Sequence, residues 1–261
     1  MRRYGIGAIA LIAAGTLALS GCASGSSDTS TSDSAAVITA NGSEPQNPLI
    51  PTNTNETGGG KILDSIFAGL EYYDAEGAPQ LDLAESIDTD DSQTFTIKIK
   101  PDQTFTNGDP VDANSFVDAW QYGALLSNEQ LNSYFFEDIQ GFSYDEDSPL
   151  TGLEVVDDLT FTVTLNEPRS DFPLRLGYSA FYPLPKSAFE DMDAYGQNPI
   201  GNGPYKLASE SAWQHNEKID LVPNEEYTGG RAAKNGGLTI VFYASEDAAY
   251  ADLQGGNLDV L

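Results

Sequence analysis

Hydrophobic and polar positions alternate with a period of two in several stretches of the chain. Thr94 to Lys100 (TFTIKIK) places Phe95, Ile97 and Ile99 on one face, the pattern of a half-buried strand. Leu153 to Val156 and Thr160 to Leu165 flank Asp157-Asp158 and predict a β-hairpin. Val37 to Ala40 predicts a short strand stopped by Asn41-Gly42. Tyr205 to Ala208 with Ile219 to Val222 predicts a strand pair, and Leu238 to Tyr243 a buried strand.

Helical spacing appears elsewhere. Ile62 to Leu70 carries apolar residues at 62, 63, 66, 67 and 70, which predicts a helix with one buried face. Asp112 precedes a helix over Ala113 to Leu126 that carries Phe116, Val117 and Trp120. Lys186 to Asp191 reads as a short helix. Glu246 to Leu253 reads as a longer one closed by Gly255-Gly256, after which Asn257 to Leu261 begins a strand. Pro45, Pro48 and Pro51, and later Pro168, Pro173, Pro183 and Pro185, mark irregular segments. Hairpins without regular βαβ units, and without internal repeats, indicate an α+β class.

The N-terminus is patterned differently. Arg2-Arg3 precede an uncharged apolar run from Ile6 to Leu19, shorter than the ~20 residues needed to span a bilayer. The run ends Leu19-Ser20-Gly21-Cys22, which resembles a bacterial lipobox. It predicts a signal peptide over 1–21 and acylation of Cys22, the chain's only cysteine. Residues 22–36, rich in Ser, Thr, Gly and Asp, cannot bury a core and read as a flexible tether.

The 261 residues are 40% hydrophobic and 20% charged, enough for a folded core. Forty Asp and Glu against twelve Lys and Arg give a net charge of −28, which disfavours nucleic-acid partners. A single Cys and a single His, His215, exclude intramolecular disulfides and thiolate zinc sites. They leave little for His-based catalysis. Gly58-Gly59-Gly60-Lys61 is no phosphate loop, because Asn55 stands where the first Gly belongs and Ile62 where Ser or Thr belongs. Asp88-Thr89-Asp90-Asp91 lacks the Gly and the Glu of a calcium loop, having Gln93 and Ile99 instead. Asp145-Glu146-Asp147 reads as a solvated acidic loop. No nucleophile motif is present, and carboxylate pairs for glycoside hydrolysis stay open. Thirteen Tyr and twelve Phe suit both core and pocket walls. No metal, cofactor or catalytic residue is expected.

Four ordered stretches then carry a resemblance. They are Phe95 to Lys100 with Phe105 to Ala113 and Trp120; Phe161 to Leu165 with Glu167-Pro168; Gly201-Asn202-Gly203-Pro204-Tyr205-Lys206-Leu207 with Ile219 to Leu221 and Asn224 to Tyr227; and Gly255 to Asp259. Together they resemble extracellular solute-binding protein family 5 of ABC importers, the oligopeptide- and dipeptide-binding type. Asn41 to Glu44 and Pro183 to Ala188 lean towards the oligopeptide branch. The resemblance implies a periplasmic-binding-protein-like fold (type II, cluster C): lobe one over 37–67 and 187–261, its extra domain over 68–186, and the second lobe missing. It implies a monomeric lipoprotein, lipid-anchored and facing outward from the cell membrane, that hands peptides to ABC permease subunits. By register, a ligand-side strand falls at Asn55-Glu56-Thr57, and Tyr134 lies near a pocket aromatic. A secreted cell-surface hydrolase using a carboxylate pair and a nonfunctional fragment are the other expectations.

Overall fold

Asp112 shows how local sequence sets an element. Its carboxylate accepts the Ser115 N–H at 2.9 Å, and the Ser115 hydroxyl accepts the Asp112 N–H at 3.2 Å. This reciprocal cap starts a helix over Ala113–Ala124. In the computed structural model, which describes residues 35–261, that helix is α2 of four. The others are α1 (Thr57–Ile66), α3 (Met192–Gln197) and α4 (Glu246–Gly255).

The strands are β1 (Val37–Gly42), β2 (Glu71–Tyr73), β3 (Pro79–Leu81), β4 (Ala84–Asp88), β5 (Thr94–Ile99), β6 (Leu153–Asp157), β7 (Thr160–Thr164), β8 (Tyr205–Leu207), β9 (Trp213–Gln214), β10 (Lys218–Pro223) and β11 (Gly237–Phe242). One sheet has the order β1-β11-β10-β8, with β9 also on β10. Its β1–β11 pair is parallel and its other pairs are antiparallel. A second, antiparallel sheet runs β4-β5-β7-β6, and β2-β3 form a separate hairpin. The α+β class expected from the sequence is the class observed.

Side chains from β5, β7 and α2 meet in an aromatic core. Trp120 is fully buried and donates its indole N–H to the Phe181 carbonyl at 3.0 Å. Phe181, Phe161, Phe136 and Phe116 surround it at ring-centroid distances of 5.2, 5.6, 6.3 and 6.4 Å. Each such pair adds about 0.5–1.5 kcal/mol beyond the area it buries.

Several boundaries differ from expectation. β1 does not stop at Asn41-Gly42 but continues through it, because Gly42 pairs with Phe242 of the neighbouring strand. The helix expected over 62–70 begins at Thr57 and ends at Ile66. Phe67 is extended, and Phe67 and Leu70 are buried by tertiary packing instead of by a helical face. Lys186–Glu190 forms a 3₁₀ turn, and α3 follows it. The strand begun after Asn257 amounts to one parallel bridge from Val260 to Ala40. The short strands β2, β3, β4 and β9 were not expected. The signal peptide, Cys22 and most of the tether lie outside the described residues. Among the described residues, no helix is long and apolar enough to cross a membrane.

Candidate functional site

The start of α1 is built from a carboxylate and three glycines. Both Glu56 oxygens accept the Gly59 N–H, at 2.9 and 3.0 Å, and Oε1 also takes the Gln46 N–H at 3.3 Å. A Cβ at Gly59 would fall on that carboxylate and on the Thr54 methyl, so only Gly permits this cap. Glu56 itself is extended (φ −123°, ψ 160°), and Thr57 is the first helical residue. The expected strand at Asn55-Glu56-Thr57 is therefore corrected. It is one extended residue entering a helix, because capping the helix N-terminus satisfies the local backbone better than strand geometry.

The end of α1 is clamped by the Gly201–Pro204 segment. The Asn202 side chain accepts the Ala68 N–H at 3.0 Å and donates to the Ala68 carbonyl at 3.1 Å. The Gly203 N–H donates to the Ile66 carbonyl at 2.9 Å. A Cβ at Gly201 would strike that same carbonyl. This motif fixes structure, holding α1 against β8.

With α1 fixed at both ends, its N-terminal half forms one wall of a cleft of about 400 Å³. Thr54, Asn55, Glu56, Thr57, Gly60, Lys61 and Asp64 line that wall, and Tyr73, Gly177, Tyr178 and Ser179 line the other. Tyr73 reaches the cleft because Gly177 has no side chain. A Cβ there would sit 2.8 Å from the Tyr73 ring. The Tyr73 hydroxyl donates to the Leu174 carbonyl. Tyr178 stacks on Phe135 at 4.4 Å and 22°, and Phe135 meets Tyr134 at 4.6 Å. Tyr134, in a 3₁₀ turn over Ser133–Phe136, is 48% exposed and is not a core residue. Asn55 to Thr57 thus share one cleft, and Tyr134 joins it through Phe135 and Tyr178. Tyr178 and Tyr73 were not singled out from sequence, since they lie in segments without periodicity or motif, and Asp64 falls on the polar side of the 62–70 helical pattern, where nothing marks it.

The electrostatics favour neutral phenols beside one open carboxylate. Loss of hydration raises Tyr178 above its ordinary value, and Tyr134 and Asp64 add to the rise. Burial and then Glu71 raise Tyr73. Asp64 keeps an exposed surface. Crowding by protein atoms still raises its carboxyl, against the pull of the Tyr182 hydroxyl, which donates at 2.9 Å, and of Arg231. Arg231 lies behind the cleft. It donates to the carbonyls of Asp64 at 2.6 Å and Phe67 at 2.9 Å, and pairs with the buried Asp82 at 3.4 Å. Asp82 also takes the Tyr227 hydroxyl on both oxygens at 2.8 Å.

The lone histidine is elsewhere. His215 pairs with Glu44 at 2.8 Å, beside the Trp213 N–H on the same carboxylate at 3.2 Å. Among the described residues, no group of three or more His, Cys, Asp or Glu is arranged to hold a metal.

This arrangement of a mixed sheet with one parallel pair and a separate antiparallel sheet is that of periplasmic binding proteins, as solved structures show. The Haemophilus influenzae OppA crystal structure in complex with RPPGFSPFR matches with a TM-score of 0.78 and 26% identity, covering 87% of this chain and 45% of that one. An oligopeptide ABC transporter substrate-binding domain from Bacillus anthracis matches with a TM-score of 0.76 and 26% identity, covering 87% and 45%. The family of bacterial extracellular solute-binding proteins, family 5 Middle, matches residues 78–261, and the chain belongs to this family. The oligopeptide-binding protein OppA of Bacillus subtilis is 28% identical, over 94% of this chain and 47% of its own length. The periplasmic OppA of Escherichia coli is 28% identical, over 97% and 47%. The chain spans about half the length of these curated relatives.

Proposed function

We propose that this chain captures extracellular peptides, oligopeptides in preference, for delivery to ABC permease subunits in the membrane. The cleft between the α1 N-terminus and Tyr178 carries this reading. It joins the first turn of α1, whose leading N–H groups have no partner within the helix, to an aromatic ladder, Tyr178–Phe135–Tyr134. Backbone groups hold an extended peptide without reading its side chains, while aromatic walls desolvate it. The relatives named as oligopeptide-binding proteins support the ligand class.

The division into lobe one (37–67 and 187–261) and an extra domain (68–186) belongs to the same proposal, as does a monomeric state. So does an outward-facing lipid anchor at Cys22. A single acyl chain holds a protein only marginally, so stable attachment calls for two or more. Cys22→Ser is expected to release the protein from membranes into the medium. Unchanged membrane attachment would remove the anchor from the account.

The experiment is a calorimetric titration of the chain with a mixed oligopeptide pool beside a peptide and glycoside hydrolysis assay. Saturable heat with no turnover is expected. Turnover, or no saturable heat, would contradict peptide capture.

A further inference from the structure

Three charged side chains line the cleft, and only one of them is free to meet a ligand. Both carboxylate oxygens of Glu56 are committed to the Gly59 N–H that starts α1. The Lys61 ammonium is turned away and donates to the Asn41 carbonyl at 3.2 Å. Asp64 remains. One of its oxygens accepts the Tyr182 hydroxyl, and among the described residues no donor meets the other. The nearest cation, Arg231, is shared between the Asp64 carbonyl and the Asp82 carboxylate. Asp82 is buried behind the wall and already has Arg231 and Lys100 beside it, so Asp64 is the carboxylate left open to the cleft. Tyr178 and Tyr73 stand on the opposite wall, 37% and 44% exposed. A carboxylate facing aromatic rings across a water-accessible gap is the chemistry that holds an ammonium or guanidinium group. The chain's net charge of −28 draws cations towards it at long range.

We propose that this cleft is a subsite for a positively charged group of the ligand, with Asp64 as its counter-ion and the rings of Tyr178 and Tyr73 as its walls. This rests on the peptide-capture reading and narrows it to peptides that present a cation here. A Lys or Arg side chain and a free amino terminus share the required chemistry.

The test separates the two sources and separates this claim from peptide capture. The unaltered chain is titrated with acetyl-Ala-Arg-Ala-amide, with acetyl-Ala-citrulline-Ala-amide, and with Ala-citrulline-Ala-amide bearing a free amino terminus. Citrulline keeps the size and loses the charge. The arginine peptide, or the peptide with the free amino terminus, is expected to bind about tenfold tighter than the uncharged one, the scale of a partly hydrated charge-assisted hydrogen bond. Whichever of the two gains identifies the source of the cation. Asp64→Asn keeps an oxygen for the Tyr182 hydroxyl, so the fold is retained, and it is expected to erase the preference. Tyr178→Phe is expected to keep it and Tyr178→Leu to reduce it severalfold. Equal binding of charged and uncharged peptides to the unaltered chain overturns the subsite, as does a preference that survives Asp64→Asn. Acetyl-argininamide is the control for peptide capture. If it binds in an Asp64-dependent way while no peptide binds, the subsite stands and peptide capture falls. If nothing binds, both fall.

Discussion

Replacing Asn202 with Ala tests the clamp that holds α1 in place. The side chain is 3% exposed and is the partner of both backbone groups of Ala68, itself fully buried. Truncation leaves a buried N–H and a buried C=O unpaired. Each costs about 1–3 kcal/mol, so about 2–6 kcal/mol in all. With a urea dependence of about 2–3 kcal/mol per M, the unfolding midpoint falls by about 0.7–3 M. Asn198 is exposed, and its side chain makes no hydrogen bond among the described residues, so Asn198→Ala is the control, expected within about 0.5 kcal/mol. Equilibrium urea unfolding followed by tryptophan fluorescence reads both variants. A midpoint for Asn202→Ala within about 0.3 M of the parent would refute the claim that this amide holds the Ile66–Ala68 turn.

Three further outcomes follow from the same geometry. Thr57→Pro removes one N–H at the first helical position, where Pro is tolerated, and Glu56 already has the extended conformation that Pro imposes on its predecessor. Peptide affinity is expected to fall about fivefold to tenfold, against under twofold for Thr57→Ala, and equal effects would count against backbone recognition. Trp120→Ala opens the centre of the aromatic core and is expected to cost about 3–5 kcal/mol by urea unfolding, so a loss under about 1 kcal/mol would contradict the packing described. Tyr144 donates to Glu137 at 2.6 Å, and that bond raises the phenol to about 12. Its phenolate should therefore appear last among the exposed tyrosines in an ultraviolet pH titration. Glu137→Gln, which removes the negative neighbour, should bring it back towards 10, and an unchanged titration would show that the pair does not form in solution.

Strand periodicity carried β5, the β6–β7 hairpin and the β8–β10 pair directly, because β5, β7 and β10 bury alternate side chains, while β6 stays exposed beyond Leu153 and is read from its β-branched residues beside the Asp157-Asp158 turn. The cap at Asp112 was equally legible. The start of α1 was not, because Thr57-Gly58-Gly59-Gly60 has no apolar period and Gly is a poor helix former. What makes a helix there is the Glu56 carboxylate and the close approach of Thr54, and sequence spacing shows neither. Phe67 and Leu70 extended the apparent helix because burial by tertiary packing, with Phe67 stacked on Tyr182, mimics a helical face. The Gly-Asn-Gly-Pro motif was visible as a signature, but its role as a clamp on Ile66 to Ala68 needed coordinates. The cleft was half legible. Asn55, Glu56, Thr57 and Tyr134 came from the family resemblance, whereas Tyr73, Tyr178 and Asp64 are brought to it by contacts between distant segments.

Amide-resolved NMR of the chain during addition of an oligopeptide tests the ligand face most directly. Shift changes are expected at Thr54 to Thr57, Asp64, Tyr73, Tyr134 and Gly177 to Ser179, which line or border the cleft. Saturable shifts centred instead on the separate groove between Asp109 and Glu190, or no saturable shifts at all, would contradict the account.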